Sequence, residues 1–202
     1  MTYILHHIRG SRSMRVLWLM EEMGLDYEIR SRSVRDLKAP DYLALNPLGT
    51  VPMLEFEGGS LLESGAILQF LLARHAPTPL EPTKDDAAFA QYLQWLHFGE
   101  GSLSPWVFQY MLNTRLKPKD QRNEGTAIEA RGRVQALLDY MGWTLDARDY
   151  LGAAHFTAAD IMVGHTLHMA EQFGMLDQAP PSVSAYLARL TARPAYGRAA
   201  AT

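Results

Sequence analysis

The stretch LGTVPMLEF, residues 48–56, has the apolar pattern of a buried strand, yet it contains a proline at position 52. Proline has no backbone N–H and is normally kept out of strand interiors. An edge strand or a strand entry is the commoner explanation. A second explanation is a cis bond between Val51 and Pro52, which would leave the N–H and C=O of Val51 free to face a ligand. The rest of the chain must decide between the two.

The composition is that of a well-cored protein with one large domain or two small ones: 202 residues, 48% apolar and 20% charged. A net charge of −3 provides no basic field for nucleic acid or anionic lipid. No apolar run approaches the roughly 18 residues of a membrane span, and residues 1–10 lack the apolar core of a signal peptide. We therefore expect a cytoplasmic protein that binds neither nucleic acid nor membrane.

The chain contains no cysteine. It therefore has no disulfide, no thiolate metal site and no cysteine nucleophile. Any thiol chemistry that the protein performs must use a thiol brought by the substrate.

The first 75 residues alternate between strand and helix patterns. Strand-like runs lie at 2–7 and from Tyr27, and two more flank the turn Glu57-Gly58-Gly59. Apolar residues with helical spacing follow the first run, up to Gly24, and begin again at Ser64. The predicted order is β-α-β followed by β-β-α, which is a thioredoxin-like layout.

Prolines punctuate residues 77–85, which predicts a stiff linker. Beyond the linker only helical patterns occur, and the chain ends in a short biased tail, GRAAAT. These helical patterns lie at 86–112, 119–142, 157–174 and 182–192. We therefore predict an α/β domain over residues 1–76, a linker over 77–85 and an all-helical domain over 86–202.

The junction between the first strand and the first helix contains RGSRSMR, residues 9–15. Redox members of the thioredoxin-like fold place Cys-x-x-Cys at this junction. Serine stands here in place of thiol, so disulfide exchange is excluded on chemical grounds.

Four motifs occur along the sequence: GSRSMRVLWLMEEMGLDYE, NPLGTVPMLE, LLESGAILQFL and FTAADI. Together they resemble the cytosolic glutathione transferases, of the serine type and bacterial-like, and the resemblance covers essentially the whole chain. It implies a thioredoxin-like N-terminal domain that binds glutathione as co-substrate, with no metal. It also implies an all-helical C-terminal domain that carries the electrophile pocket. Members of the family are usually dimers in which the first domain of one subunit packs on the second domain of its partner.

The resemblance implies how glutathione is held. The main chain at Val51, ahead of a cis Pro52, pairs with the cysteinyl unit as an added strand. Ser64 binds the γ-glutamyl carboxylate at a helix N-terminus and Glu63 faces the ammonium. Ser64 could alternatively be a simple helix N-cap.

One part of the family's glutathione site departs from the usual pattern. The family often has a lysine just before the Val-Pro pair, or a histidine nearby, to hold the glycyl carboxylate. Leu48, Gly49 and Thr50 occupy that region here. Lys38 or Arg35 from the preceding loop is the candidate replacement.

Two serines are candidates for activating the thiol. Serine-type members place their serine four residues before a basic or polar residue of the first helix. Ser11 keeps this spacing to Arg15 and is the first choice. Ser13 is the second choice and could instead cap the first helix. Tyr3 could mimic the tyrosine-type enzymes, but its position early in the first strand fits core packing better.

The aromatic stretch SPWVFQYMLN, residues 104–113, repeats large side chains at helical spacing. Most of them should belong to the core. In the family this part of the first long helix helps to form the electrophile pocket. Trp106, Tyr110 and Met111 would give that pocket a broad, adaptable apolar wall.

We therefore expect a glutathione S-transferase that conjugates the glutathione thiolate to hydrophobic electrophiles and forms a homodimer. Glutathione-dependent peroxidase or lyase chemistry is an alternative. A non-catalytic glutathione-binding or interaction protein on the same scaffold is another, because a fold does not settle a function. The hydroxyls at the first junction favour an enzyme, and the missing cation for the glycyl carboxylate favours a carrier.

Three further patterns are interpreted as structural. In FTAADI, Thr157 and Asp160 predict a capping box, with Phe156 and Ile161 as its hydrophobic staple. His165 and His168, with Glu171 beyond them, have spacing that metal ligands can use, but no further ligand converges on them. His6 and His7 are adjacent in a strand, so they point to opposite faces and cannot chelate together.

Overall fold

A four-stranded sheet organises the N-terminal part of the chain in the computed structural model, which describes residues 2–202. The strands are β1 (Tyr3–His7), β2 (Tyr27–Ser31), β3 (Met53–Phe56) and β4 (Gly59–Leu62), in the order β2-β1-β3-β4. β1 is parallel to β2 and antiparallel to β3, which is antiparallel to β4. Parallel strands need a crossover, and helix α1 (Ser13–Met23) supplies it. The predicted thioredoxin-like layout is confirmed.

The chain divides into two units, residues 1–78 with 192–202 and residues 79–191. The first unit also contains α2 (Pro40–Leu45) and α3 (Ser64–Arg74). The second contains only helices: α4 (Phe89–Phe98), α5 (Ser104–Met111), α6 (Glu124–Leu145), α7 (Ala158–Gln172) and α8 (Pro181–Thr191). An α/β region followed by a helical one was predicted from the sequence, and this order is confirmed.

The C-terminal tail differs from the prediction, which placed it in the helical domain. Helix α9 (Pro194–Ala201) packs on α1 in the first unit. The rings of Trp18 and Tyr196 meet edge to face with centroids 4.9 Å apart. The guanidinium of Arg193 donates two hydrogen bonds to the Glu22 carboxylate, at 2.7 and 2.8 Å. These contacts join residues that are far apart in sequence, so local composition did not reveal them.

The predicted helix over 86–112 is interrupted. A π-helical turn at Gly99–Leu103 separates α4 from α5. A Cβ added to Gly99 would lie 2.6 Å from the carbonyl oxygen of Met162 in α7. Glycine therefore allows the two helix backbones to approach closely at this point.

The predicted capping box at the start of α7 is present, and its acidic member is structural. Asp160 is fully buried and accepts hydrogen bonds from the N–H of Thr157 at 2.8 Å and of Leu151 at 3.0 Å. The hydroxyl of Tyr186 on α8 donates a further bond at 2.8 Å. Burial raises the pKa of Asp160, whereas these donors stabilise its charged form. One side chain thus ties the start of α7 to a loop and to α8.

Within residues 2–202, no helix combines the length and the apolar character that crossing a membrane requires.

Candidate functional site

Three segments converge at one end of the sheet in the first unit. His6 of β1 pairs with Met53 of β3, so the chain leaving β1 lies beside the segment that enters β3. Met53 also pairs with Leu62, the last residue of β4. The β1–α1 junction, the proline segment and the start of α3 therefore meet at the same edge, as the predicted glutathione site requires.

The peptide bond between Val51 and Pro52 is cis, as predicted. Both residues precede β3, whose ladder begins at Met53. The carbonyl of Thr50 accepts hydrogen bonds from the hydroxyl of Tyr42 at 2.6 Å and from Nδ2 of Asn46 at 2.8 Å. The side chains of Tyr42 and Asn46 therefore fix the backbone at the residue that precedes Val51 and Pro52.

The roles of Tyr42 and Asn46 were not predicted from the sequence. Asn46 is fully buried, and its Oδ1 accepts a hydrogen bond from the N–H of Leu48 at 3.1 Å. An Asn-Pro pair is a turn signal, and Asn46 stands before Pro47 in the motif NPLGTVPMLE. That signal could have identified Asn46, whereas nothing in the local pattern around Tyr42 indicated its contact with Thr50.

Lys38 lies beside the loop that leads to the proline segment. Gly49 has a φ of +58°, and a Cβ there would lie 2.5 Å from the carbonyl oxygen of Leu37. Only glycine fits this position. The same Cβ position is 3.5 Å from Nζ of Lys38, whose side chain is exposed. An ammonium is therefore present near the region where the family's usual cation is missing.

Ser64 begins α3, but it is not the N-cap of that helix. Glu63 occupies the N-cap position and makes no side-chain capping bond. Oγ of Ser64 instead accepts a hydrogen bond from Nη1 of Arg15 at 3.1 Å, and both side chains are buried. The alternative that Ser64 only caps the helix is wrong, because a long-range partner occupies its hydroxyl oxygen. The Arg15 guanidinium also adds positive charge at the helix N-terminus, which favours a carboxylate there.

Glu63 has an unusual backbone conformation, with φ 69° and ψ 113°. Non-glycine residues with positive φ are uncommon and cost of order 1–3 kcal/mol. Such strain clusters at ligand sites, and here it lies directly before Ser64. The sequence contained no signal for it, because glycine or asparagine would be the usual residue in this region.

The two candidate serines are hydrogen-bonded to each other. Oγ of Ser11 lies 2.7 Å from Oγ of Ser13, and it accepts a bond from the N–H of Ser13 at 3.2 Å. Ser13 is fully buried, whereas Ser11 is half-buried. Arg12 holds the N-cap position of α1, so the alternative that Ser13 caps this helix is wrong. Of the two hydrogen-bonded serines, Ser11 is therefore the one that keeps solvent-accessible surface.

Tyr3 lies in the core, as its position in the strand predicted. It is 2% exposed, and its hydroxyl lies 2.8 Å from Nε2 of His75 at the end of α3. Tyr3 begins β1 whereas the serines follow its end, a separation of roughly 13 Å along the strand. Its hydroxyl is therefore remote from the converging segments.

His7 supports Ser13 from inside the protein. Nδ1 of His7 lies 2.9 Å from Oγ of Ser13, and burial lowers the pKa of His7. His6 contacts different partners: its Nε2 lies 2.6 Å from Oε1 of Glu55. Burial is also the main cause that lowers the pKa of His6. The sequence raised His6 and His7 only as possible metal ligands, and the contact of His7 with Ser13 was not predicted.

The predicted electrophile wall belongs to α5 in the second unit. Met111 is 8% exposed and packs inward, whereas Trp106 and Tyr110 are half-buried. The guanidinium carbon of Arg133 lies 5.5 Å from the centre of the Trp106 ring. Nη1 of Arg131 donates to the hydroxyl of Tyr110 at 3.3 Å. Of the three side chains predicted for this wall, the two that keep accessible surface are aromatic, and each contacts an arginine of α6.

Among residues 2–202, no group of three or more His, Asp or Glu side chains is arranged to hold a metal ion. His165 is buried in the second unit, and Nε2 of His168 lies 2.9 Å from Nε2 of Gln172.

Known proteins resemble this chain over nearly its whole length. The family model described as glutathione S-transferase, N-terminal domain, matches residues 1–73. Glutathione S-transferase 3 of Schizosaccharomyces pombe is 30% identical to this chain over 204 residues, covering 95% of this chain and 84% of that protein. Glutathione S-transferase 4 of Zea mays is 32% identical over 192 residues, covering 92% and 86%.

Among solved structures, a glutathione transferase from Methylococcus capsulatus superimposes with a TM-score of 0.88 at 26% identity, over 98% of this chain and 97% of that one. The similarity to these proteins extends over both units and over at least 84% of each relative's length. The chain therefore belongs to the glutathione S-transferase family.

Proposed function

We propose that this protein conjugates the thiolate of glutathione to hydrophobic electrophiles, and that the hydroxyl of Ser11 stabilises the thiolate. One observation carries the proposal. Ser11 is the half-buried, outer member of a hydrogen-bonded serine pair, at the edge where the cis-proline segment and the start of α3 converge. A hydroxyl that is supported from inside and open on the outside can donate to a bound sulfur.

The tripeptide would be held by groups that the fold brings to this edge. The main chain at Val51 pairs with the cysteinyl unit, which is strand addition outside the ladder that begins at Met53. Ser64, with the buried charge of Arg15 behind it, binds the γ-glutamyl carboxylate at the start of α3. Glu63 faces the ammonium, and Lys38 supplies the cation for the glycyl carboxylate.

The energy required for thiol activation is within the reach of one hydroxyl. A free thiol with a pKa of about 8.5 is only roughly 3% ionised at neutral pH. Lowering this pKa to about 6.5 requires roughly 2.7 kcal/mol of selective stabilisation of the anion. A hydrogen bond to a charged group contributes about 1.5–3 kcal/mol. The N-terminus of α1 adds several tenths of a kcal/mol, so no general base is needed.

Trp106 and Tyr110 would form the wall for the electrophile. Both rings keep accessible surface, and both are fixed by arginines of α6. A flat aromatic wall favours hydrophobic electrophiles without selecting one of them.

The proposal predicts the ionisation of bound glutathione. We expect the thiol of the bound tripeptide to titrate about two units below its value in water, near a pKa of about 6.5. Ultraviolet difference absorbance of the thiolate, recorded as the pH is varied, measures this shift. S-methylglutathione, which has no ionisable thiol, is the matched control.

A thiol that is bound but titrates as it does in water would exclude thiolate activation and would favour the carrier alternative. If the pKa of the bound thiol is lowered but the protein turns over hydroperoxides and not aryl halides, the peroxidase alternative would be favoured.

We also propose that the protein is a homodimer. A groove of about 540 Å³ lies on the second unit, between the N-terminal part of α4 and the C-terminal part of α6. Its lining includes Tyr140 and Trp143, which are 40% and 76% exposed. Aromatic side chains this exposed mark an interaction surface. The large exposed apolar side chains among the described residues of the first unit are Val34, Leu45 and Leu48, which supply a partner surface in a second copy.

Replacing Trp143 with arginine is expected to dissociate the dimer, because it puts a charge into the proposed apolar contact. We expect the dissociation constant to rise by about two orders of magnitude, as for a central aromatic anchor. Ile128→Arg is the matched control, since Ile128 is 66% exposed on the same helix and lies outside the groove lining. Sedimentation equilibrium measures both. Equal effects of the two substitutions, or a dimer unaffected by either, would contradict this interface.

A further inference from the structure

His7, Ser13 and Ser11 form a continuous hydrogen-bonded chain that runs from the interior to the proposed sulfur position. Nδ1 of His7 lies 2.9 Å from Oγ of Ser13, which lies 2.7 Å from Oγ of Ser11. The other ring nitrogen of His7, Nε2, is buried and has no hydrogen-bond partner among residues 2–202. The proposed stabilisation of the thiolate needs only the hydroxyl of Ser11. It does not explain why Ser13 and His7 are hydrogen-bonded behind it.

The direction in which these hydrogen bonds are donated decides whether the hydroxyl of Ser11 can donate to a thiolate. A hydroxyl has one proton to donate and two lone pairs to accept. If His7 accepts at Nδ1, Ser13 donates inward to His7 and Ser11 donates inward to Ser13. The sulfur then receives no proton from Ser11. If His7 instead donates from Nδ1, Ser13 donates outward to Ser11, and the proton of Ser11 points to the sulfur.

The backbone contacts of both serines are satisfied in the outward direction, as they are in the inward one. Oγ of Ser13 accepts a hydrogen bond from the N–H of Ile8 at 3.2 Å. In the outward direction, Nδ1 of His7 donates to the remaining lone pair of the same oxygen. Oγ of Ser11 accepts the N–H of Ser13 at 3.2 Å and, in this direction, the hydroxyl proton of Ser13. Both lone pairs of Ser11 are then used, and its only remaining capacity is to donate. The alternative acceptor for Ser13, the carbonyl of Ile8, is farther away at 3.3 Å.

The unpartnered Nε2 favours the outward direction. A neutral imidazole carries its proton on one nitrogen only, and burial, which lowers the pKa of His7, favours the neutral ring. With the proton on Nδ1, the buried Nε2 presents only an unfilled lone pair. With the proton on Nε2, a buried N–H would be left without an acceptor, and such orphaned donors are rare in proteins.

We propose that His7 is a positioning residue that donates from Nδ1 to Ser13 and so directs the proton of Ser11 towards the glutathione sulfur. The inference rests on the proposed role of Ser11, although the proton position on His7 can be measured without glutathione. Hydrogen bonds that point the same way along a chain polarise one another. His7 therefore strengthens the bond that Ser11 makes to the thiolate without touching the substrate.

The first test is the tautomer of His7 in the unmodified protein. Nitrogen-15 chemical shifts of the imidazole distinguish a protonated Nδ1 from a protonated Nε2. The His7→Asn variant assigns the signals, because one pair of resonances disappears. A proton on Nδ1 near neutral pH is expected. A proton on Nε2 with Nδ1 unprotonated would overturn the proposal, whatever the activity of any variant.

The second test is the ionisation of bound glutathione in two variants of His7. His7→Phe removes the donor and is expected to raise the pKa of the bound thiol by about half a unit, a roughly threefold change in the ratio of thiolate to thiol. His7→Asn, which can place an amide N–H near the same position, is expected to recover about half of that shift. The affinity for glutathione should change by less than about twofold, because His7 touches no part of the tripeptide.

Ser11→Ala separates this inference from the proposed function. A thiol pKa that Ser11→Ala leaves unchanged would remove the role of Ser11. A pKa that rises in Ser11→Ala but not in His7→Phe would remove only the role of His7. In a Ser13→Ala background, His7→Phe should add nothing further, since the chain is already broken. An equal effect of His7→Phe with and without Ser13 would show that His7 acts through packing, which would also overturn the proposal.

Discussion

Replacing Asp160 with alanine is expected to lower the free energy of unfolding by about 3–5 kcal/mol. The carboxylate is fully buried, and it is the acceptor for the backbone N–H groups of Leu151 and Thr157 and for the hydroxyl of Tyr186. Alanine would leave these buried donors without an acceptor, at about 1–3 kcal/mol for each group, partly offset because a charge no longer has to be buried. Since native proteins are stable by only about 5–15 kcal/mol, this single change would remove a large fraction of the total.

Urea denaturation followed by circular dichroism measures the loss, with the slope of the transition as a check on two-state behaviour. Asp177→Ala is the matched control. The Asp177 side chain is 73% exposed and faces Arg131 at 3.7 Å, so its removal should cost less than about 0.5 kcal/mol. A loss at Asp160 no larger than that of the control would mean that the buried donors find other acceptors. The capping network would then not be what holds α7 to α8.

The sequence predicted those elements whose determinants are local. The cis proline ahead of β3, the hairpin around Gly58 and the capping box at Thr157 each depend on residues within a few positions of one another, and all three are present. The order of strands and helices follows from patterns of the same range. The thioredoxin-like layout was therefore readable without any knowledge of long-range contacts.

The features that sequence reasoning missed depend on partners that are distant in the chain. Helix α9 belongs to the first unit because Arg193 reaches Glu22, a separation of 171 positions. The helix that was predicted to run through 86–112 breaks where Gly99 meets α7. A local pattern cannot indicate either contact, because each is set by the packing of elements that are far apart in sequence.

In the candidate site, too, local motifs were predictable from the sequence and long-range partners were not. The residue types were predictable, since Ser11, Pro52 and Ser64 stand in recognisable motifs. The partners that orient them were not. His7 lies behind the serine pair, and Arg15 occupies the hydroxyl oxygen of Ser64 across 49 positions. Motifs therefore located the proposed chemistry, and the structure added the side chains that position it.

Ser11→Ala is expected to reduce turnover by about 50-fold at about pH 6.5 and by less than about twofold at about pH 9. If the thiol of bound glutathione has a pKa of about 6.5 in the unmodified protein, roughly half of it is ionised at the lower pH. Without the Ser11 hydroxyl, the pKa returns towards about 8.5, and only about 1% is ionised there. At the higher pH both proteins hold mostly thiolate, so the difference disappears.

Ser13→Ala should behave differently, because Ser13 is buried and hydrogen-bonded to Ser11, so in the proposed mechanism it would act on the sulfur only through Ser11. We expect a loss of about three- to fivefold at the lower pH, since Ser11 keeps its proton but loses a supporting donor. Stopped-flow turnover against an aryl halide over this pH range measures both variants. Calorimetry should show glutathione affinity within about threefold of the unmodified protein in each.

The pH dependence distinguishes thiol activation from a disturbed fold. A variant that is merely destabilised, or that binds glutathione poorly, would lose turnover at every pH. A loss of turnover that disappears at high pH, where the thiol is ionised in both proteins, is the result expected of a changed thiol pKa. If the larger, pH-dependent loss appeared in Ser13→Ala instead, Ser13 would be the residue that meets the sulfur. Intact turnover in both variants would mean that neither hydroxyl stabilises the thiolate.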